Sequence, residues 1–478
     1  RWVEDRRENL IAASHAHDTQ VLLRVGVDRD GVITAVEADV RADVGAYSIH
    51  PFSASLEPMT CASTLFGPYA VPALSYRARG VASHKCPIGA HRGVGMDAAV
   101  YASERMLDEI AAELGIDPLE LRQRNVHRNL PVTTVTNRAL DSGDYPRLLE
   151  ELADRAGYPE LRRQQQAARQ AGELIGIGIA LFNEHSGTGS ADYRRRGITA
   201  VPGLDAARVR VDDSGRLVIH TSAAEAGQGH PETYRQLAVR ELGVRAEDVD
   251  VVEGDTDLAP FGSGTFASRG AVGVVEAVVQ CLREVAAQDL APGTDVVRTV
   301  DPTQVYPSGA HLATVAVDPL SLRPRVTGYW AVDDVGNVLL PATYVAQVIG
   351  GVAMGLGDVL LEEHVYDADR QILTSTLLDY LVPLAGDVPP IDVHHLDSPS
   401  PHTSLGSKGV GEAGTIGAYG AIANAVADAV RPLHLEVTSL PYSPGRLFEA
   451  RQQAQAAAEP AGHASDQGDD KGHAADPG

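Results

Sequence analysis

The sequence predicts an α/β protein in two lobes. Three observations carry this. Strand-type alternation closed by turn residues recurs at well separated places, and helix-period apolar stripes with capping residues lie between them. Small residues are abundant: 47 residues are Gly, while only 5% are aromatic. At 478 residues the chain is long enough to bury more than one core.

The first strand signal is TQVLLRVGVDRDGVITAVEADVRADVGAY, residues 19–47, a hairpin turning at Asp28-Arg29-Asp30-Gly31. The irregular Gly-rich stretch SYRARGVASHKCPIGAHRGVGMD follows it. Ala98, Tyr101, Ala102, Met106, Ile110 and Leu114 then form a helical stripe that Gly115 ends. Asp117-Pro118-Leu119-Glu120 starts another helix, with an Asp cap and Pro in the first turn. Asp141-Ser142-Gly143-Asp144 opens a helical region over 145–171, expected to be exposed and connecting. LIGIGIALF, from Leu174, predicts a short apolar strand, and AARVRVDDSGRLVIHTSAAE a second hairpin. A third hairpin begins at His311. A boundary near 160–172 divides the chain into regions 1–165 and 172–450. The Ala/Gln/Asp/Gly-rich tail, 451–478, has no periodicity and is expected to be disordered.

Composition excludes several classes. A net charge of −24 disfavours nucleic acid and anionic membrane as partners. Cys61, Cys86 and Cys281 are isolated, so neither an iron–sulfur cluster nor a structural zinc built on cysteines is expected. Isolated cysteines fit a reducing, cytoplasmic setting. We find no apolar run of 18 residues and no signal-peptide pattern. His15 with His17, and His394 with His395, lack the i, i+4 spacing of a helical metal motif and are read as solvated surface. No protein metal ligand is expected.

Glycine-rich loops carry the chemistry. GSKGVGEAGTIG, residues 406–417, follows loop-type composition and runs into a helix striped by Ile422, Val426 and Val430. Glu412 is its only carboxylate; it either complements the helix dipole or serves a site that Gly411 lets a bulky group approach. GVGEAG fits G-x-G-x-x-G, but no strand precedes it, and Lys408 stands on the wrong side for a P-loop. Gly227-Gln228-Gly229-His230 links a strand to a helix stripe of Tyr234, Leu237, Ala238 and Leu242; free N–H groups there suit an anion, and an ordinary strand–helix turn reads the same way. Gly262, Gly264, Ser268 and Gly270 line a third small-residue loop before Val274, Val275, Val278 and Val279. Gln347 lies in YVAQVIGGVAMGLG, a helix whose glycines allow close approach. In AHRGVG, Arg92 is either a structural arginine or part of a substrate loop with Val94.

These motifs together resemble the molybdopterin-binding large subunit of the xanthine dehydrogenase / aerobic carbon monoxide dehydrogenase family, and the resemblance runs from Arg1 to about Ala450. It implies a two-lobed molybdopterin-binding fold, with Glu412 as catalytic base. Gln228, Gly229, Gly264, Ser268, Gln347 and Gly411 would contact the cofactor, and Arg92 and Val94 would face the substrate. Gly93 stands where the copper-containing carbon monoxide dehydrogenases carry a cysteine, which disfavours CO oxidation. Ala346 and Met354 depart from a usual glycine and glutamine, and the family's upstream G-G-x-F-G-G-K loop does not occur in the chain.

The implied reaction is oxidative hydroxylation of an aldehyde, N-heterocycle or similar electrophilic carbon in a small-molecule substrate, using water. The implied cofactor is molybdopterin with molybdenum, in its cytosine dinucleotide form, with the metal held by the dithiolene. Electrons would leave to Fe–S and FAD partner subunits, and the chain would need the N-terminal part of the large subunit. The alternative is a truncated or degenerate subunit that keeps fold and interfaces without cofactor.

Overall fold

The computed structural model describes residues 2–49, 53–199 and 201–458. Its centre is the helix Ala413–Val430, in which every residue except Asp428 is buried. The stripe of Ile422, Val426 and Val430 is present, but the faces between them carry Ala and Gly and are covered too. A helix buried on all sides shows no amphipathic contrast. It packs at backbone distance on its neighbours: a Cβ on Gly178 would lie 2.2 Å from Ala421 O, and one on Gly414 would lie 2.3 Å from Val348 O.

Gly178 belongs to the strand Leu174–Asn183, the edge of a four-stranded sheet. Its neighbours in order are Ser308–Val317, Pro324–Asp334 and Ile391–Leu396, the last parallel to its partner. The predicted strand and third hairpin are therefore one sheet. Ala180 and Phe182 face the core of the central helix, while Ile177, Ile179 and Leu181 face a second core containing Leu107, Leu148 and Leu152. Burial on both faces explains why LIGIGIALF reads as a nearly continuous apolar run.

The first half of the chain supplies that second core. Strands Thr19–Val27 and Ile33–Gly45 form the predicted hairpin, and Asp28 Oδ1 accepts the N–H groups of Asp30 and Val32, both at 2.9 Å. Strand Leu74–Ala82 extends this sheet. Helix Met96–Leu114 ends at Gly115 in the left-handed region, and Asp117 caps helix Pro118–Asn125 through the N–H groups of Leu119 and Glu120. Region 145–171 departs from expectation. Gly157, with φ +59°, splits it into Tyr145–Ala156 and Tyr158–Gln170, and Leu148, Leu149 and Leu152 are fully buried. Four-residue spacing of those leucines makes this a packed helix, not a surface connection.

A third core lies among residues 207–296. The sheet Asp295–Val300, Asp205–Val211, Leu217–Thr221, Val249–Val252 carries helices His230–Leu242 and Gly273–Ala286. The last helix, Pro444–Ala458, runs into the stretch expected to be disordered, because Leu447 is buried against the main core and anchors its start. Residues 459–478 lie outside the described residues. Pro341–Leu360 is, among the described residues, the one helix long and apolar enough to cross a membrane; half of its apolar window is buried, and it packs as a core helix beside Ala413–Val430.

Candidate active site

A cleft of about 1400 Å³ opens where the glycine-rich loops meet. Arg92, Val94, Gln228, Ser268, Gln347, Gly411 and Glu412 all line it. Gly229 and Gly264 do not, although their neighbours His230 and Thr265 do. Both glycines have positive φ, +79° and +88°, and serve by turning the chain.

Glu412 sits at the N-terminus of the central helix and is only 9% exposed. The Gly93 N–H donates to its Oε1 at 3.1 Å, and the Ser268 hydroxyl donates to its Oε2 at 3.4 Å. Burial pushes its carboxyl up to about 7, with Asp97 adding to the rise, while Gly93, Arg92 and Ser268 restrain it. The backbone N–H groups of Gly409, Val410, Gly411 and Glu412 have no hydrogen-bond partner among the described residues. Unpaired donors at the start of a buried helix are a place for an anion.

Arg92 binds no carboxylate among the described residues. Its guanidinium donates to the carbonyl of Gly411, and at 2.9 and 3.1 Å to the carbonyl and Oε1 of Gln347. It thereby joins the loop 90–95, the helix Pro341–Leu360 and the Glu412 loop. Close packing continues below: a Cβ on Gly409 would lie 2.2 Å from both Ser186 Oγ and Ser268 O.

One expectation is corrected at Gly227–His230. The N–H groups at that helix start are not free, because the carboxylate of Glu225 accepts from Gly227, Gly229 and His230 at 2.7, 3.1 and 2.8 Å. The side chain of Gln228 folds back onto Ala224 O and Ala226 N. Glu225 supplies the negative charge the dipole favours, and it lies close enough in sequence to do so. A second correction concerns the histidines. His17 is not solvated surface; it lies between Glu57 and Asp97, and His15 stacks on His364 with ring centroids 3.7 Å apart. Distant segments, residues 57, 97 and 364, create these environments. His394 and His395 are partly exposed, as expected.

Sequence reasoning missed Glu184. It is fully buried and neither carboxylate oxygen has a hydrogen-bond partner among the described residues. Burial, then the charge of Glu412, push its carboxyl well above the usual range. The signal was present: an acid directly after nine apolar or glycine residues and one Asn.

Fold and site together define a cofactor-binding α/β protein, with a large cleft, unpaired N–H donors and a carboxyl group poised near neutrality. The sequence matches the molybdopterin cofactor-binding domain family over residues 1–126, and again over 151–299 and 292–389. The chain belongs to this family, in the large-subunit lineage of the xanthine and carbon monoxide dehydrogenases. It is 32% identical to the nicotine 6-hydroxylase large subunit of Paenarthrobacter nicotinovorans, over 94% of this chain and 62% of that protein. The carbon monoxide dehydrogenase large chain of Hydrogenophaga pseudoflava is 29% identical, over 94% of this chain and 63% of that one. The crystal structure of quinoline 2-oxidoreductase from Pseudomonas putida 86 superposes with a TM-score of 0.88 at 33% identity, covering 95% of this chain and 64% of that chain. The chain thus spans less than two thirds of the length of these relatives.

The residues present fit a molybdopterin. The cleft is large enough, the free N–H groups of 409–412 suit a phosphate-bearing group, and the amide nitrogen of Gln347, which lines the cleft, suits a polar heterocycle edge.

Proposed function

We propose that this chain is the cofactor-binding and catalytic portion of a molybdenum hydroxylase large subunit, oxidising an N-heteroaromatic or aldehyde substrate with oxygen from water. The observation that carries this is Glu412: a buried carboxyl at the floor of the cleft, with a pKa of about 7. A general base is most effective when its pKa lies near the working pH. When bound, molybdopterin with its molybdenum supplies the two-electron chemistry that hydroxylation by water requires.

The chain's own residues then have defined tasks. Glu412 takes a proton on a carboxylate oxygen, while the Gly93 N–H and Ser268 hydroxyl hold that carboxylate in place. Arg92 fixes the loop and keeps a positive charge beside it. The N–H groups of 409–412, with Gln347 and Ser268, would hold the cofactor, and Gln228 would join them on turning away from Ala224 and Ala226. Gly93 leaves no thiolate for a copper ion. Two of the relatives described above are named for nicotine and quinoline, which favours an N-heteroaromatic substrate over CO. The cytosine dinucleotide form of the cofactor, Fe–S and FAD partner subunits, the remaining length of a large subunit and a cytoplasmic setting complete the proposal.

The test is Glu412→Gln in the assembled, molybdenum-loaded complex. The amide keeps size and shape but cannot act as a base, so turnover should fall by about 10²–10⁴-fold or more with molybdenum content unchanged. Normal turnover in fully loaded protein would remove Glu412 from the chemistry.

A further inference from the structure

Beside the loop that faces Glu412 lies a second cluster of side chains, to which the hydroxylase reading gives no ligand. His17 precedes the strand Thr19–Val27, while His91 and Asp97 flank Arg92 and Gly93. One ligand-type atom from each of His17, His91 and Asp97 lies within 4.8 Å of the other two. Asp97 is fully buried; its Oδ1 accepts the Ala98 N–H at 2.7 Å, but its Oδ2 has no hydrogen-bond partner among the described residues. His17 Nε2 and His91 Nδ1 are likewise buried and unbonded.

The outer ring nitrogens face carboxylates. His17 Nδ1 lies 2.9 Å from Glu57 Oε1, and His91 Nε2 faces Asp358 Oδ1 at 3.8 Å. A carboxylate on the outer nitrogen fixes the tautomer that leaves the inner nitrogen as a lone pair, and raises its basicity. His17 then presents an acceptor inward and Asp97 a second, and His91, whose Nε2 lies beyond hydrogen-bond distance of Asp358, supplies a third in the tautomer that carries its proton on Nε2. Three inward acceptors with no donor between them are satisfied by a cation. His17 Nε2 and Asp97 Oδ2 are 3.1 Å apart. Ligands at about 2.0–2.1 Å from a tetrahedral zinc sit about 3.3 Å from one another, close to that spacing. A protonated His17 shared between Glu57 and Asp97 is the rival arrangement, and it leaves His91 Nδ1 without a partner.

We propose that His17, His91 and Asp97 bind a single zinc-type divalent cation, with Glu57 and Asp358 as outer partners, and that this ion fastens the loop carrying Arg92 and Gly93. The fourth tetrahedral position is left for a water. Placement gives the ion its consequence. A Cβ on Gly93 would lie 2.6 Å from Asp97 Oδ2, and the same residue donates its N–H to Glu412. The ion therefore sits beside the peptide whose N–H holds Glu412. The proposal rests on its own cluster and not on the molybdopterin assignment.

The test counts zinc and molybdenum in the same sample, by plasma mass spectrometry, on the chain purified with its partner subunits. The sample is stripped with a mild chelator and then titrated with Zn²⁺. Wild type should take up one zinc per chain. Asp97→Asn and His91→Ala should take up none, and Glu57→Gln should bind zinc about 10–100-fold more weakly. His402→Ala, an exposed histidine elsewhere, should keep the full equivalent. Co²⁺ in the wild type should show the visible absorption of a tetrahedral site, a readout that needs no variant to fold. Zinc and molybdenum are read separately, so failure of either assignment leaves the other standing. Wild-type protein that takes up neither Zn²⁺ nor Co²⁺, or an unchanged equivalent of zinc in both Asp97→Asn and His91→Ala, overturns the site.

Discussion

Glu412 is held against two opposing demands. Its carboxyl lies at about 7 in the fold against an ordinary value of 4.5, so folding favours the protonated form. That stabilisation is complete below about pH 4.5 and is lost as pH rises through 7. The proposed general-base role needs the opposite form. Turnover of the loaded complex should therefore rise with pH through about 7 and level off above it. Glu412→Gln removes the cost of ionising a buried group, so thermal melts should show the variant gaining on wild type between pH 5 and pH 8. A variant that loses ground over that range would mean Glu412 is a stabilising ion in the fold. Glu184 sharpens the point, since burial and the neighbouring Glu412 charge push its carboxyl up as well.

At the scale of elements, the central helix is positioned by what its neighbours lack. Gly178 on the strand Leu174–Asn183 brings that backbone against the helix, so a methyl there would meet both Ala421 O and Ala425 N at 2.2 Å. Neither contact is the end of a flexible side chain, and the helix that would have to move carries Glu412 at its first turn. Gly178→Ala should cost about 1–3 kcal/mol or more by overpacking, read as a lowered denaturation midpoint. Gly386→Ala meets nothing within 4 Å and has an ordinary φ, so it should be close to neutral. Equal effects of the two substitutions would show that the close helix–strand packing is not what holds the helix.

Across the whole molecule, two apolar clusters share the opposite faces of one sheet, while the third, among residues 207–296, is a body of its own. The fully buried Arg269–Asp205 pair, at 2.8 Å, ties the Ser268 loop to that third body, with Arg269 also donating to Gly203 O at 2.9 Å. Cooperative units with separate cores open separately. Native-state hydrogen exchange should find residues 205–300 opening at a lower free energy than Leu174–Asn183 and Ala413–Val430. One common opening energy for all three would contradict this division. The Ser268 loop is tied to the third body and Glu412 to the central helix, so their hydrogen bond spans the division.

Local chemistry alone determined a good part of this protein. The turn at Asp28, the stop at Gly115, the cap at Asp117 and the glycine loops around Gln228, Ser268 and Glu412 depend on residues within a few positions of one another, and each was legible. The convergence of those loops on one cleft was anticipated only through the family resemblance. What tertiary structure decided depends on atoms far apart in the chain. Gln228 lost its free helix start to Glu225, a side chain whose orientation no spacing rule specifies. His17 became a half-buried neighbour of Asp97 because segments 80 residues apart pack together. Helix 145–156 turned inward because the sheet needed cover on its second face. Glu184 and Glu412 were brought together across more than 200 residues by burial in a common core, and burial, which no local pattern measures, pushes the carboxyl of both upward.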